Sequence, residues 1–185
     1  MKNVLILVGS ARNGNSLFAA KQIEKQISEM EFIDSEIIQL SNYEIHCCDG
    51  CLECDSTSKC HYDDDVENLL EKVKKADGIV FISPTRWSLL SGDMKVFMDR
   101  LNPLAGKEIL DNKKSFLIAI GQTNSEESDS ISKALESLRF FSDDAGFEFI
   151  DSFAFENCLD SNDLSKTITS IDEFNEKIKN YLLKI

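Results

Sequence analysis

Four cysteines lie within thirteen residues near the middle of the chain, at a spacing that suits an inorganic core. They are Cys48, Cys51, Cys54 and Cys60, in the pattern C-x2-C-x2-C-x5-C. Cysteine thiolates hold iron–sulfur clusters, and the ferredoxin run C-x2-C-x2-C-x3-C is the nearest physical parallel. Because thiols at such close spacing can fold a short loop around one core, we predict that these four cysteines are metal ligands.

Other interpretations of the cysteine loop stay open at this point. Structural zinc sites usually use two Cys-x2-Cys pairs separated by a dozen or more residues, whereas here the two pairs share Cys51. Disulfides are disfavoured in a reducing cytoplasm, and free thiols are a further alternative. Cys47 could replace Cys48 as a ligand. Cys158 stands alone in the sequence and is expected to be a small buried hydrophobic residue.

A second candidate site is the turn G-S-A-R-N-G-N-S at residues 9–16, which follows a short apolar run. A helix N-terminus offers unpaired N–H groups and a positive dipole end, which suit a phosphate. Ser10, Asn15 and Ser16 add short polar side chains, and Arg12 adds a charged, forked donor. The turn fails the Walker A pattern, which needs Lys at position 15, and also fails G-x-G-x-x-G. What remains suits a single terminal phosphate, with an ordinary capped turn as the alternative.

The apolar pattern predicts the elements that must position these sites. Short apolar runs alternate five times with segments of helical period, and the early runs are nearly all apolar, which is typical of a parallel sheet covered on both faces. Right-handed crossovers make this a doubly wound α/β fold with five parallel strands, whose ligands bind at the carboxyl ends of the strands. The predicted strands lie near 4–8, 37–40, 78–83, 116–120 and 147–155, and the predicted helices near 17–27, 64–73, 94–101, 128–145 and 171–182.

Residues 41–63 are polar and follow neither period, so we predict a long Cys-rich loop inserted into a single domain of residues 1–185. The next helix is expected to begin at Asp64, with Glu67 as its capping-box partner. The three aspartates at 63–65 would then favour the helix dipole. His46 and His61 flank the loop and are expected to be solvated rather than to bind metal.

Charge and length exclude several classes of function. The chain has 20 Lys and Arg against 33 Asp and Glu, a net charge of −13, which disfavours nucleic acid and anionic membranes as partners. The apolar run at residues 4–8 is too short for a signal peptide, and no run approaches the roughly 20 residues of a membrane span. We therefore expect a cytoplasmic protein with neither a nucleic-acid nor a membrane partner.

The turn at residues 9–16 resembles the FMN phosphate loop of the flavodoxin-like NAD(P)H-dependent FMN reductases. Residues 83–85, S-P-T, and residues 91–100, S-G-D-M-K-V-F-M-D-R, resemble the second flavin loop of that family and its following helix. The resemblance runs from residue 1 to about 155 and implies a flavodoxin-like fold that binds FMN. It implies that Ser10, Arg12, Asn15 and Ser16 contact the FMN phosphate, and that Pro84, Thr85, Arg86, Trp87 and Gly121 lie along the ribityl chain and ring. Arg86 stands where the family usually has an aromatic residue, and Trp87 follows it.

The full cysteine spacing resembles that of the archaeal and bacterial iron–sulfur flavoproteins, which share this fold. That resemblance implies a [4Fe-4S] cluster near FMN, in a homodimer or homotetramer. It implies an oxidoreductase that moves electrons from NAD(P)H or a protein donor to a small-molecule or protein acceptor. No protein catalytic residue is expected, because flavin carries the chemistry. The alternatives are a non-enzymatic flavodoxin-type carrier between protein partners and, third, a zinc-stabilised domain without flavin.

Overall fold

The computed structural model describes residues 1–166 and 168–185, and in that part of the chain five strands form one parallel sheet. The strand order β2-β1-β3-β4-β5 is that of the flavodoxin-like fold, as predicted. The strands are β1 (Lys2–Val8), β2 (Ile33–Gln39), β3 (Gly78–Pro84), β4 (Lys114–Ile120) and β5 (Glu148–Phe155). The helices are α1 (Asn15–Ser28), α2 (Glu53–Thr57), α3 (Val66–Lys75), α4 (Gly92–Asp99), α5 (Ser130–Ala145) and α6 (Ile168–Leu182). Short 3-10 turns cover Leu40–Asn42, Asn102–Leu104 and Leu164–Lys166.

The central strands are apolar on both faces because each face is covered by helices. Leu7 and Phe81 pack in one layer with α3, α4 and α5, whereas Ile6 and Val80 pack in the other layer with α1 and α6. Since successive side chains of a strand point to opposite faces, a strand between two helical layers must be apolar at every position. Among the described residues, no helix is long and apolar enough to cross a membrane.

Strand β5 contains an irregularity that its alternating phenylalanines conceal. Its register against β4 shifts between Ser115 and Phe116. A bulge of one residue moves all later side chains to the opposite face of the sheet. Accordingly, Phe147 packs in the layer with α3 to α5, whereas Phe153 packs in the layer with α1 and α6.

Two predicted boundaries differ from the observed ones. Strand β2 begins at Ile33 rather than near 37, because it is an edge strand whose polar residues alternate between exposed and half-buried positions. The loop at 41–63 is not wholly irregular, since its first two residues complete a 3-10 turn and α2 forms within it. The α2 helix is a single turn with left-handed residues at both ends, Leu52 (φ 63°) and Ser58 (φ 60°).

The prediction that a helix begins at Asp64 is wrong, and the reason is a buried ion pair. Helix α3 begins at Val66, and Asp64 instead pairs with Arg100, the residue that follows α4. Arg100 Nη1 and Nη2 donate to the two carboxylate oxygens of Asp64 at 2.7 and 3.0 Å. Both side chains are only 1% exposed. A buried charge needs a partner, and this requirement determines where the Asp64 carboxylate lies.

The same two side chains close the base of the cysteine loop. Arg100 Nη1 also donates to the carbonyl oxygen of His46 at 2.7 Å, and Asp64 accepts from the N–H of His46 at 3.0 Å. Asp64 accepts in addition from the first N–H of α3, on Val66, at 3.1 Å. The chain therefore enters and leaves residues 47–63 at fixed positions.

These contacts lower the pKa of Asp64. Burial alone would raise the pKa of this carboxyl, but the hydrogen bonds from Arg100 and from the N–H groups of His46 and Val66 outweigh it. The carboxylate is consequently charged throughout the neutral range.

Replacing Asp64 should destabilise the fold far more than replacing its neighbour. Asp64→Asn leaves the Arg100 charge buried without a counter-charge, which should lower the free energy of unfolding by about 3–5 kcal/mol. Asp63→Asn removes the same charge at an exposed position and should change it by less than about 0.5 kcal/mol. Urea unfolding of both variants under reducing conditions measures the difference, and equal stabilities would contradict this role for the pair.

The stability gap between the wild type and Asp64→Asn should also depend on pH. The folded pKa of Asp64 lies below its unfolded value, so its contribution is complete above the unfolded pKa and is lost as the pH falls through the folded pKa. The gap should therefore narrow below about pH 4. If the difference in free energy of unfolding between the two proteins stays constant down to the pH of acid unfolding, the Asp64 carboxylate is not its source.

Candidate functional site

A cavity of about 370 Å³ opens at the carboxyl ends of β1, β3 and β4. Its volume falls in the range of small-molecule and cofactor sites, and its position is where doubly wound sheets bind ligands. All nine of the residues predicted to contact a cofactor line it: Ser10, Arg12, Asn15, Ser16, Pro84, Thr85, Arg86, Trp87 and Gly121. The fold thus brings three segments that are far apart in sequence around one space.

The loop after β1 presents groups that suit an anion. Helix α1 begins at Asn15, and its N-cap residue, Gly14, has no side chain to accept from the first-turn N–H groups. Ser10 and Ser16 are buried beside this turn, and Arg12 is exposed. Unpaired N–H groups, two hydroxyls and one guanidinium can together bind a phosphate.

The side chain of Asn15 has a structural task as well. Its Nδ2 donates to the carbonyl oxygen of Asp160 at 2.7 Å, and its Oδ1 accepts from the N–H of Leu164 at 3.2 Å. These bonds hold the segment after β5 against the loop, so that residues 158–161 also line the cavity. Sequence reasoning missed this wall, because the segment is polar and has no periodicity. A contact of Asn15 with phosphate stays a prediction.

Two glycines allow the strand ends to approach their neighbours closely. A Cβ on Gly9 would lie 2.6 Å from Ser91 Oγ and 2.9 Å from Met94 Cβ. A Cβ on Gly121 would lie 2.5 Å from a side-chain carbon of Ile131. Ser91 Oγ in turn caps α4, accepting from the N–H of Met94 at 3.3 Å. Gly9 therefore lets the end of β1 pack against the start of α4, and Gly121, which lines the cavity, does the same for the end of β4 and α5.

Trp87 is displayed at the tip of a two-residue turn beside the cavity. Arg86 and Leu89 exchange backbone hydrogen bonds of 2.8 and 2.9 Å, and Trp87 and Ser88 between them have φ values of 49° and 62°. This is the type I′ pattern, which normally takes Asn-Gly. Backbone strain of this kind clusters at functional sites. The indole is 99% exposed and is available to a ligand or a partner.

The four predicted metal ligands also come together. Cys48, Cys51, Cys54 and Cys60 line a second, small cavity with Tyr62 and Arg100, and Cys47 is not among its lining residues. Lys107 Nζ holds the loop in place by donating to the carbonyl oxygen of Cys54 at 3.0 Å. The free space among these side chains is only about 20 Å³, so a cluster would require the exposed part of the loop around Cys48 and Cys51 to move outward.

A different set of side chains in the same loop could bind one metal ion. Ligand atoms of Asp49, Cys51 and His61 lie within 4.8 Å of one another, and all three residues are exposed. His61 Nε2 is 3.1 Å from Asp49 Oδ2, and the His61 ring lies 4.1 Å from that of Tyr62. His61 is solvent-accessible as predicted, yet it faces a carboxylate and a thiol. The zinc interpretation thereby gains three candidate ligands.

The environment raises the pKa values of two thiols of the loop, Cys51 and Cys54. Burial, aided by the Asp55 carboxylate, raises the pKa of Cys54. A backbone hydrogen bond at Glu53 alone would lower the pKa of Cys51, but burial and the Asp49 carboxylate outweigh it. A metal that binds these thiols must therefore displace protons.

Cys158 behaves as a packing residue, as predicted. It is 7% exposed, and burial, with a smaller effect of Asp163, raises its pKa to about 12. The thiol is thus protonated at neutral pH and unreactive.

The sequence resembles known flavoproteins. Residues 2–142 match the family model for NADPH-dependent FMN reductases. The chain is 37% identical to an iron–sulfur flavoprotein of Methanocaldococcus jannaschii over 119 residues, which are 64% of this chain. Matches to five iron–sulfur flavoproteins span between 44% and 61% of each relative's own length.

Solved structures of flavoproteins share the fold. An NADH:FMN oxidoreductase aligns with a TM-score of 0.73 at 17% identity, covering 100% of this chain and 90% of that one. Flavodoxin 1 of Bacillus cereus aligns with a TM-score of 0.68 at 15% identity, covering 100% and 99%. At such low sequence identity, these alignments support a common fold only. They confirm the predicted flavodoxin-like architecture.

The close approach at Gly9 predicts a contrast between two glycine substitutions. Gly9→Ala forces its Cβ against Ser91 and Met94 and should lower the free energy of unfolding by about 1–3 kcal/mol. Gly92→Ala, in the first turn of α4, meets nothing within 4 Å and should be neutral or stabilising by up to about 1 kcal/mol. Thermal and urea unfolding test the pair, and a neutral Gly9→Ala would show that the strand end can relax.

Proposed function

Because the chain belongs to the NADPH-dependent FMN reductase family, we propose that it is an FMN-dependent oxidoreductase that uses NAD(P)H as its electron donor. The observation that carries this proposal is the convergence of all nine predicted cofactor residues on one 370 Å³ cavity. FMN, when bound, supplies the ability to accept hydride from a nicotinamide and to pass electrons on singly or in pairs. The side chains then need only to bind and orient the reactants.

The phosphate end of FMN would lie at the N-terminus of α1. Ser10, Ser16 and the first-turn N–H groups would donate hydrogen bonds, and the Arg12 guanidinium would supply the positive charge. This local donor set compensates for the net charge of −13, which would otherwise repel a phosphate.

The ring end would lie between the loops after β3 and β4. Pro84 and Gly121 form the floor at the two strand ends, where Thr85 N–H donates to the carbonyl oxygen of Ile120 at 2.8 Å. Arg86 and Trp87 form the rim, and the exposed indole presents an aromatic face to a planar ligand. No side chain is assigned as an acid, a base or a nucleophile.

We infer a second cofactor, a [4Fe-4S] cluster, at the cysteine loop. The tight spacing of four cysteines, their shared cavity and the names of the relatives support it. The donor set fits, because four thiols and a buried guanidinium face one space. Cys48 is favoured over Cys47 as the first ligand, since only Cys48 lines the cavity.

The arrangement of strands favours communication between the two sites. The phosphate loop follows β1 and the cysteine loop follows β2, and these strands are neighbours in a parallel sheet. Their carboxyl ends therefore lie at the same edge. We propose that electrons pass between FMN and the cluster at this edge and go on to a small-molecule or protein acceptor. We also propose that the protein is a cytoplasmic homodimer or homotetramer.

One observation favours a second candidate for the cysteine loop. The grouping of Asp49, Cys51 and His61 offers three of the ligands that a zinc ion takes, with a fourth position open to water, which would give a flavoprotein with a bound metal ion and no cluster. Metal analysis separates the two possibilities.

Anaerobic purification followed by absorption spectroscopy and assays of FMN, iron, sulfide and zinc tests the whole proposal. FMN with about four irons and four sulfides per chain supports it. FMN with zinc supports the second candidate, and a protein that binds no flavin even after reconstitution overturns both. Anaerobic addition of NADH or NADPH then separates an enzyme from a carrier, because a pure carrier is not reduced without a partner reductase.

Arg12 should account for a large part of FMN affinity. Arg12→Ala removes a charge-assisted hydrogen bond worth about 1.5–3 kcal/mol, so the Kd for FMN should rise about 10- to 100-fold. Lys21→Ala removes the same charge from an exposed position on α1 outside the cavity and should leave the Kd within about twofold. Quenching of FMN fluorescence measures both, and equal effects would reduce the role of Arg12 to long-range attraction.

Two adjacent cysteines provide a test of the cluster ligands. Cys48→Ser should lose most of the iron and sulfide, because serine is a poor ligand for an iron–sulfur core, whereas Cys47→Ser should retain both. FMN content should stay unchanged in the two variants. The reverse result would assign Cys47 as the ligand, and full metal content in both would argue against a four-cysteine cluster.

A further inference from the structure

Arg100 has one hydrogen-bond donor without a partner. Its Nη1 and Nη2 bind Asp64 and the carbonyl oxygen of His46, while Nε has no partner. Among the described residues, Nε is the one buried side-chain nitrogen or oxygen left in this state. A buried donor without a partner costs about 1–3 kcal/mol, and more when it is charged, so such an atom needs an explanation.

The surroundings of Arg100 limit what this donor could meet. The residue lines the small cavity together with the four predicted ligand cysteines. Against the opposing effect of burial, the pKa of Arg100 is raised by Asp64 and then by Cys60, whose side chain lies within hydrogen-bonding reach of the guanidinium. The ring of Tyr62 lies 5.1 Å from Arg100 Cζ. The cavity is also lined by two carboxylates, but both already have partners, Asp49 in His61 and Asp99 in Lys95. The four cysteine sulfurs are the lining atoms that metal binding would turn into anionic acceptors. A neutral thiol is a weak acceptor, whereas a thiolate or an inorganic sulfide carries the negative charge that a guanidinium favours.

The guanidinium is also held rigidly. Two hydrogen bonds to Asp64 fix its plane, a third fixes it to His46, and it is 1% exposed. An arginine does not lose its proton in proteins, so the donor is permanently charged. A donor fixed in this way needs no reorganisation to bind a core that forms in the cavity.

We propose that Arg100 Nε–H donates a hydrogen bond to a sulfur of the iron–sulfur core, either an inorganic sulfide or the Cys60 thiolate, and thereby raises the reduction potential of the cluster. This inference rests on the proposed [4Fe-4S] cluster. Hydrogen bonds to the sulfurs are one of the factors that set cluster potentials. The bond strengthens as the core gains an electron and becomes more negative, so it stabilises the reduced form. Arg100 is thus a positioning residue that tunes the potential, and it also closes the loop through Asp64.

A spectroscopic test on the wild type requires no variant. The protein is produced with 15N-labelled arginine, reduced with dithionite, which gives one electron to each cluster, and examined by pulsed EPR. We expect a 15N coupling to the paramagnetic cluster. Arg12, Arg86 and Arg139 do not line the cysteine cavity, so the signal would come from Arg100.

Arg100→Lys then tests the effect on the potential. Lysine keeps a charge for Asp64 but has no N–H at the position of Nε. We expect the reduced-to-oxidised ratio to fall about tenfold at a fixed potential, a downward shift of about 59 mV for a one-electron couple, and the 15N coupling to disappear. The matched control is Arg139→Lys, because Arg139 also binds an aspartate, Asp143 on α5. This variant should change neither the reduction potential nor the 15N coupling.

The outcomes separate this inference from the proposed function. A wild type that contains no iron or sulfide overturns the cluster, and this inference with it. A wild type with a cluster but no 15N coupling, or a folded Arg100→Lys with an unchanged potential, overturns only the role of Arg100. Should Arg100→Lys fail to fold, the wild-type coupling alone decides.

Discussion

The buried ion pair between Asp64 and Arg100 is the contact on which the cysteine loop depends. Neither charge is accessible to water, and each would be costly without the other. The pair connects the start of α3, the end of α4 and the backbone of His46. A polar loop of this length has little apolar surface to hold it in place, so its conformation is determined mainly by how its two ends are fixed.

Parallel topology places both candidate sites at one edge of the sheet. In a doubly wound fold every loop that follows a strand emerges at the carboxyl edge, whatever its sequence. In the order β2-β1-β3-β4-β5 the phosphate loop and the cysteine loop follow adjacent strands. The loops after β3 and β4 line the same cavity as the phosphate loop. Gly121 lines this cavity, and the absence of a side chain there lets the end of β4 approach Ile131 and Thr85 closely.

Local and overall electrostatics act in opposite directions in this protein. The net charge of −13 favours solubility and repels anions at long range. The candidate phosphate site is nevertheless built from backbone N–H groups, hydroxyls and Arg12, whose attraction acts at contact distance. The cysteine cavity has a single buried cation, Arg100, beside groups that would become negative on binding metal. Both candidate sites thus provide positive charge only where a ligand would need it.

Features that depend on local order along the chain could be predicted from the amino-acid sequence. Apolar runs predicted the five strands and their burial, because a strand between two layers must be apolar at every position. The turn at residues 9–16 and the spacing of the four cysteines identified two groups of residues that line cavities, because the members of each group are close in sequence or follow consecutive strands.

Features that join residues far apart in the chain became visible in the folded structure. The Arg100 partner of Asp64 is 36 residues away, so a local capping pattern indicated the contact of this carboxylate with the start of α3 but not the ion pair. The bulge in β5 depends on its register against β4, and the wall formed by residues 158–161 depends on Asn15, about 145 residues earlier in the chain. Periodicity and spacing report which face of an element is apolar, but a buried charge, a strand register and a loop contact are settled by which surfaces pack together.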